Sequence, residues 1–298
     1  MPFSLRIAGS ANPTERRAAQ RIAQSLRKQG HLCHVEVFTK NGAIVDGDSY
    51  AAAVEYLQDK RADVAVVKMS KIPAKADARA ATAAVLHRTE TQYVLVHGPD
   101  ANLRDSMETA IQVSVPSALV EREWQHRHPT HLLLREDDVT AAERVQRLLR
   151  GRRDAGVFVA SELAEQNLQD EVQDPLPWLV PPAQAGAVAL LVRADDTLLR
   201  DYLAELHHAP TAWAAAAEQG IAGAIAPGKV AYAVHAQVPT NQAAGMRVVV
   251  RAVAYDNQGD RLYLEMQHPI AGLTTEARQE LVQVFSKTFA EQGASNAR

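Results

Sequence analysis

The sequence has one cysteine, few aromatic residues and no long apolar run, and each shortage removes a class of answers. A single thiol, Cys33, cannot close an intrachain disulfide or hold a metal alone, which fits a reducing compartment. Aromatics make up 5% of the chain, and Lys plus Arg (32) nearly balance Asp plus Glu (35). Neither the stacking platform nor the basic field of a nucleic-acid binder is therefore present. The longest apolar stretches, such as residues 187–192, fall far short of the roughly 18 residues of a membrane-spanning helix, so no membrane role is expected. The start, Met1-Pro2-Phe3-Ser4-Leu5-Arg6, lacks a charged leader followed by an apolar stretch and a small-residue cleavage site, so a cytoplasmic protein is expected. There is no Gly-x-Ser-x-Gly nucleophile elbow. The nearest approach to a phosphate loop, Gly223 through Gly228-Lys229-Val230, lacks the final hydroxyl and follows a helix instead of opening one.

What is there is ample core. At 47% hydrophobic and 22% charged over 298 residues, the chain is neither disordered nor collagenous nor a coiled coil, and it is long enough for two or three domains. Residues 3–9 read as a strand, and Asn12-Pro13-Thr14-Glu15 opens a helix that runs to about Lys28, with Ile22 and Leu26 on one face. A second strand surrounds Cys33, which makes that thiol a buried small hydrophobe. A helix over 49–60 and a strand over 62–67 complete a β-α-β-α-β unit, the mark of a mainly parallel sheet. The alternation repeats with strands at 111–115, 131–134 and 155–160, and extended segments near 85–103 and 175–193 join the two units. From about 209 the order changes to helix, strand, hairpin around Asn257-Gln258-Gly259, and helix.

The expected fold is α/β: two lobes like those of periplasmic binding proteins, with mainly parallel sheets, plus a small α+β C-terminal domain. The first lobe is 1–100 with 184–208, the second 101–183, and the third domain 209–298. Ligands of such sheets lie beyond the carboxyl ends of the strands, which points to the loops after Gly9, Val67, Val115, Leu134 and Ala160.

Four segments resemble porphobilinogen deaminase (hydroxymethylbilane synthase), of tetrapyrrole and haem biosynthesis. The run from Lys60 to Pro73, with Arg61-Ala62-Asp63, Met69 and Pro73, is similar to Gly-Arg-Ala-Asp-Ile-Ala-Val-His-Ser-Met-Lys-Asp-Val-Pro. Pro182 to Arg193 resembles Ala-Pro-Gly-Gln-Gly-Ala-Leu-Gly-Ile-Glu-Cys-Arg. Leu206-His207-His208-Ala209-Pro210-Thr211 through Ala217-Glu218 resembles Leu-Asn-His-Glu-Glu-Thr and the helix after it. Asp154-Ala155-Gly156-Val157-Phe158 resembles a Tyr-Asp-Ala-Ile-Ile-Leu-Ala strand. The resemblance implies two lobes around a cleft and a third domain carrying a dipyrromethane cofactor on a cysteine. It also implies an aspartate that stabilises cationic pyrroles, and arginines and lysines that hold acetate and propionate groups.

The chain departs from that pattern at each demanding position. The aspartate falls on Lys71, which inverts the charge. The cofactor cysteine falls on Lys229, within Pro227-Gly228-Lys229, so no covalent dipyrromethane is expected. The first-loop arginine corresponds to Ser10, the paired arginines after Ser114 and Ser117 become Leu119 and Val120, and an acidic Asp46-Gly47-Asp48-Ser49 replaces a Lys-Gly-Leu-Phe loop. Arg144 and Arg135 match family arginines.

Two readings stand for several of these residues. Lys71 is an anion clamp or Schiff-base amine in the cleft, or a solvated loop lysine; Lys229 carries the same pair of readings. Ser114 and Ser117 bind an anion beside backbone amides, or Ser117 caps a helix. The basic run from Arg144 to Arg153 is a helix face and end, or an anion site. His126-Arg127-His128-Pro129-Thr130-His131 is an exposed helix end or a histidine-rich metal tract, with no metal site expected. The combined expectation is a deaminase-like protein that is inactive or non-standard, binding a small anionic or pyrrole-like ligand or a protein partner between its lobes. The alternative is a working synthase-type transferase with a non-covalent primer or a partner. A third possibility is an unrelated two-lobed solute binder.

Overall fold

The computed structural model describes residues 3–40, 43–44, 49–73, 75–99, 110–165, 173–238 and 246–296. Strand β1 (Ser4–Gly9) buries Leu5 and Ile7 on one face, and helix α1 (Pro13–Lys28) follows. Asn12 caps α1 by accepting from Thr14 N at 3.1 Å, Pro13 fits the first turn, and Arg27 and Lys28 sit at the negative end. Ala18, Ala19, Ile22 and Leu26 form its buried stripe, and Gly30, at φ +90°, lets the chain reverse into β2 (Leu32–Val37). A short pair, β3 (Thr39–Lys40) and β4 (Ala43–Ile44), precedes α2 (Ser49–Gln58) and β5 (Val64–Lys68). A single 3-10 turn over Met69–Lys71 leads toward β6 (Ala80–Val85).

The chain then enters a second sheet at β7 (Tyr93–His97). It continues through β8 (Gln112–Val115), α3 (Ala118–Arg127), β9 (Leu132–Arg135), α4 (Ala141–Leu149), β10 (Ala155–Val159), α5 (Ala160–Glu165) and β11 (Gln173–Pro175). It returns to the first sheet at β12 (Val188–Arg193), followed by α6 (Thr197–Leu203). Strand order is β2-β1-β5-β12-β6 in one sheet and β9-β8-β10-β7-β11 in the other. In each, four strands point one way, and the reversed strand, β12 or β7, is the one by which the chain enters after crossing between lobes. The two sheets thus have the same plan, and both are covered on both faces. In the first, Ile7, Val64, Val66 and Leu190 face α1 and α6, while Ala65, Val67 and Leu191 face α2.

Residues 93–97, assigned to the first lobe from sequence, pair with β10 and β11 in the second sheet. The first crossing therefore lies between Val85 and Tyr93, a matter of non-local pairing that composition does not carry. Val85 aligns with Ala189, Lys68 with Val188 and Val159 with Tyr93, so both crossings leave from the carboxyl ends of the parallel strands.

The remaining elements are α7 (Ala209–Ile225), β13 (Lys229–Gln237), β14 (Met246–Asp256), β15 (Arg261–Ile270) and α8 (Thr275–Asn296). They form a three-stranded antiparallel sheet whose one face, with Val234, Val248 and Val250, packs on Trp213, Ile221, Leu281 and Phe285 of the helices. The opposite face carries Ala233, Val253 and Tyr255 against Leu119 of α3 and Val180. Tyr255 donates to the Glu123 carboxylate at 2.5 Å, and Arg261 pairs with it at 2.7 Å, tying this unit to the second lobe. The hairpin turn expected at Asn257-Gln258-Gly259 is present, with Gly259 at φ +90°. Among the described residues no helix is long and apolar enough to cross a membrane.

Candidate functional site

The cleft-facing ends of β1 and β5 hold a buried carboxylate of the chain's own. Glu15, in the first turn of α1, is 1% exposed. One of its oxygens accepts from the backbone N–H and the hydroxyl of Ser10, the N–H at 3.2 Å. The other accepts from Ser49 Oγ at 3.1 Å and from Lys68 N at 2.8 Å. A helix N-terminus with converging donors suits an anion, and here Glu15 is that anion. Ser10, expected to bind a ligand, is occupied by Glu15 and by Asn12 N at 3.1 Å. Lys71 is exposed in the turn after β5, and its amine meets no partner among the described residues. The acidic loop expected at Asp46-Gly47-Asp48 lies outside the described residues.

On the second lobe, Ser114 and Arg144 come together, but in the interior. Arg144 is 2% exposed. Its Nε donates to Ser114 Oγ at 3.1 Å, and its Nη2 donates to the carbonyls of Ser114 at 3.1 Å and Val157 at 2.6 Å, with the Phe158 ring 4.6 Å away. Burial pulls this guanidinium down to about 10, which leaves it charged at neutral pH. Ser114 in turn donates to Glu136 at 2.6 Å, and the other Glu136 oxygen accepts from Arg147 at 2.6 Å and Arg153 at 3.2 Å. Arg144 therefore holds β8 to β10. Ser117 caps α3 through Val120 N at 3.3 Å. Arg135 lies on the surface between Glu121 and Asp137, each at 3.3 Å.

Lys229 opens β13 beside Asp256. Cys33 is 5% exposed in the core of the first lobe, where burial pushes its thiol up. The histidine tract is only partly a helix end. His131 is buried and accepts from Trp124 Nε1 at 3.2 Å, with His128 stacked on it at 5.0 Å. Among the described residues no group of three or more His, Cys, Asp or Glu side chains could hold a metal ion.

Sequence reasoning missed the region where the first crossing meets α7 and β13. A cavity of about 590 Å³ there is lined by Arg88, Thr91, His208, Thr211 and His235, among others. Glu218, fully buried, binds Arg88 through two hydrogen bonds of 2.7 and 2.8 Å and accepts from Gln184 N at 2.5 Å and Ala236 N at 2.7 Å. His208 caps α7 through Thr211 N at 3.3 Å, and His207 Nδ1 accepts from Val85 N at 3.1 Å. The sequence signals were Glu218 and the pair His207-His208, all within one quoted segment; nothing local marked Arg88 or His235.

Residues 50–201 match the family described as porphobilinogen deaminase, dipyromethane cofactor binding domain. The chain belongs to the porphobilinogen deaminase family. It is a distant member. It is 26% identical over 225 residues to the porphobilinogen deaminase of Acidithiobacillus ferrooxidans, covering 71% of this chain and 73% of that one. It is 27% identical over 239 residues to that of Paraburkholderia phytofirmans, covering 75% and 69%. The single cysteine of this deaminase-family chain lies outside the matched residues.

Solved structures with a similar two-lobed form include an ancestral cationic amino acid solute-binding protein, at TM-score 0.43 and 16% identity, covering 68% of this chain and 87% of that one. They also include a periplasmic binding protein of an arginine transport system from Legionella pneumophila, at TM-score 0.36 and 9% identity, covering 68% and 92%. The cytoplasmic placement expected from sequence is corrected here. Solved structures that share the two-lobed form include periplasmic proteins, so the form does not support that placement.

Proposed function

We propose that this protein is a non-standard, inactive member of the porphobilinogen deaminase family that binds a small anionic or pyrrole-like ligand between its lobes. The observation that carries this reading is Lys71, an exposed and unpaired cation among the described residues, at the place where the family resemblance implies an aspartate. A positive group there opposes a cationic pyrrole intermediate and attracts a carboxylate. The internal carboxylate of Glu15, the burial of Arg144 and the placement of Cys33 in the first-lobe core support the same reading and argue against a covalent cofactor. A synthase working with a non-covalent primer requires Arg135, Arg144 and Lys71 on one cleft surface. Arg144, at 2% exposure, does not supply that.

The test is intact mass before and after incubation with porphobilinogen, with assays for ammonia and uroporphyrin, alongside calorimetric binding of porphobilinogen to the parent and to Lys71→Ala. The expected result is an unmodified mass, no ammonia, and binding weakened about tenfold in the variant, the scale of one lost charge-assisted contact. A mass increment of pyrrole units or ammonia release overturns the inactive reading. Binding indifferent to Lys71→Ala overturns the assigned cleft.

A further inference from the structure

We propose that Glu15 is a specificity-determining residue of the first-lobe wall: a resident carboxylate that fills the anion position at the Ser10 loop and refuses it to a ligand. At position 10 the resemblance implies one of the arginines that hold acetate and propionate groups. This chain has a serine there and a carboxylate five residues on. Where a cation would await an anion, a neutral donor already holds one.

The geometry separates this role from helix capping. Asn12 caps α1 through Thr14 N at 3.1 Å, and the Asn12 N–H goes to Ser10 Oγ at 3.1 Å, so Glu15 closes no capping box. Its carboxylate turns instead to donors distant in sequence. Ser49 Oγ, at the start of α2, and Lys68 N, at the end of β5, are 34 and 53 residues away. With the N–H and hydroxyl of Ser10 they make four donors, two on each oxygen, and all four are neutral groups. A carboxylate offers about four lone-pair sites, so the set is complete. Hydrogen bonds to an ionised acceptor are the strong kind, which holds the occupant in place without a counter-ion. Glu15, Ser10 and Ser49 are all buried, so the position is closed while this side chain fills it. An anion entering the cleft therefore meets Lys71, exposed in the turn that follows Lys68, and not the Ser10 loop.

The test uses formate, the carboxylate of Glu15 without its chain, on the full protein. In Glu15→Ala the four donors are vacated, and cavities made by truncation take up small molecules that fit them. Melting temperature is followed as sodium formate replaces sodium chloride at constant ionic strength, up to about 100 mM. Glu15→Ala is expected to gain stability saturably, while the parent and Glu15→Gln, in which a side chain of the same shape keeps the space filled, gain none. Adding Ser49→Ala to Glu15→Ala removes one donor and weakens formate at least about fivefold, whereas adding Lys71→Ala changes it less than about twofold. If Glu15→Ala is unfolded in chloride, a cooperative transition restored by formate is the same result, and a chain that stays unfolded overturns the proposal. So does a folded Glu15→Ala that ignores formate, a parent that responds as strongly, or a response indifferent to Ser49→Ala. A response lost with Lys71→Ala also overturns it, since formate then sits on the exposed lysine. The proposal rests on the cleft reading only in making this wall part of the ligand site. Formate is read without porphobilinogen and with Lys71 removed, so either reading can fail alone.

Discussion

Arg135 and Arg144 are nine positions apart and do opposite things, although the resemblance sets Arg144 at one family arginine and Arg135 near another. Arg135 lies half in water with two carboxylates at 3.3 Å, an arrangement that contributes little because solvent screens it. Arg144 donates to one hydroxyl and two carbonyls with almost no solvent, so its removal leaves buried acceptors unpaired. Urea unfolding is expected to find Arg144→Met destabilised by about 3 kcal/mol and Arg135→Ala within about 0.5 kcal/mol. Equal losses would mean that Arg144 is held by something other than these bonds. The difference is illegible in sequence, since only the approach of β8 to β10 decides which of the two is enclosed. Ser10 and Ser114 were likewise visible as polar residues at the right loops. Their partners, Glu15 and Glu136, were not, because a carboxylate that fills a cradle looks in sequence like one that awaits a cation.

At the level of single elements, β13 carries a titrating group into the core. Burial first, then the charges of Arg88 and Arg251, push His235 down to about 3, whereas an unfolded chain titrates near 6.5. Between those values the unfolded chain holds a proton that the folded one does not. The contribution of His235 is therefore complete above about pH 6.5 and is lost as pH falls, by about 1.4 kcal/mol per unit. Stability measured from about pH 7.5 to about pH 5 should fall less steeply in His235→Gln than in the parent. A parallel fall would show that His235 is solvated. Helix α1 was legible because its apolar period and its start at Asn12-Pro13 agree, whereas the reciprocal capping box of Thr140 and Glu143 that opens α4 emerges only in the structure. Strand β6, Ala-Ala-Thr-Ala-Ala-Val, drew no assignment from sequence because alanine carries little strand preference, and its neighbour β12 is more than a hundred residues away.

Across the whole molecule, Glu218 joins three segments: the outgoing crossing at Arg88, the returning one at Gln184 and strand β13 at Ala236. Glu218→Gln leaves Arg88 without its carboxylate and should cost about 3 kcal/mol. Hydrogen exchange should quicken first at the Gln184 and Ala236 amides while the first sheet keeps its protection. Uniform quickening would mean that the junction is not a separate unit. The repeated β-α-β alternation made the two-lobed plan legible, but the lobe boundary was fixed by pairings no local pattern records. Those pairings also impose an order on synthesis. Strand β12 stands between β5 and β6, so as the chain emerges residue by residue the first sheet has a vacant lane until residues 188–193 arrive. The second sheet, by contrast, uses one continuous stretch from β7 to β11 and can close earlier. The lobe that begins first on the ribosome is thus the one that finishes last, with two unpaired strand edges exposed in the interval to anything that can add a strand.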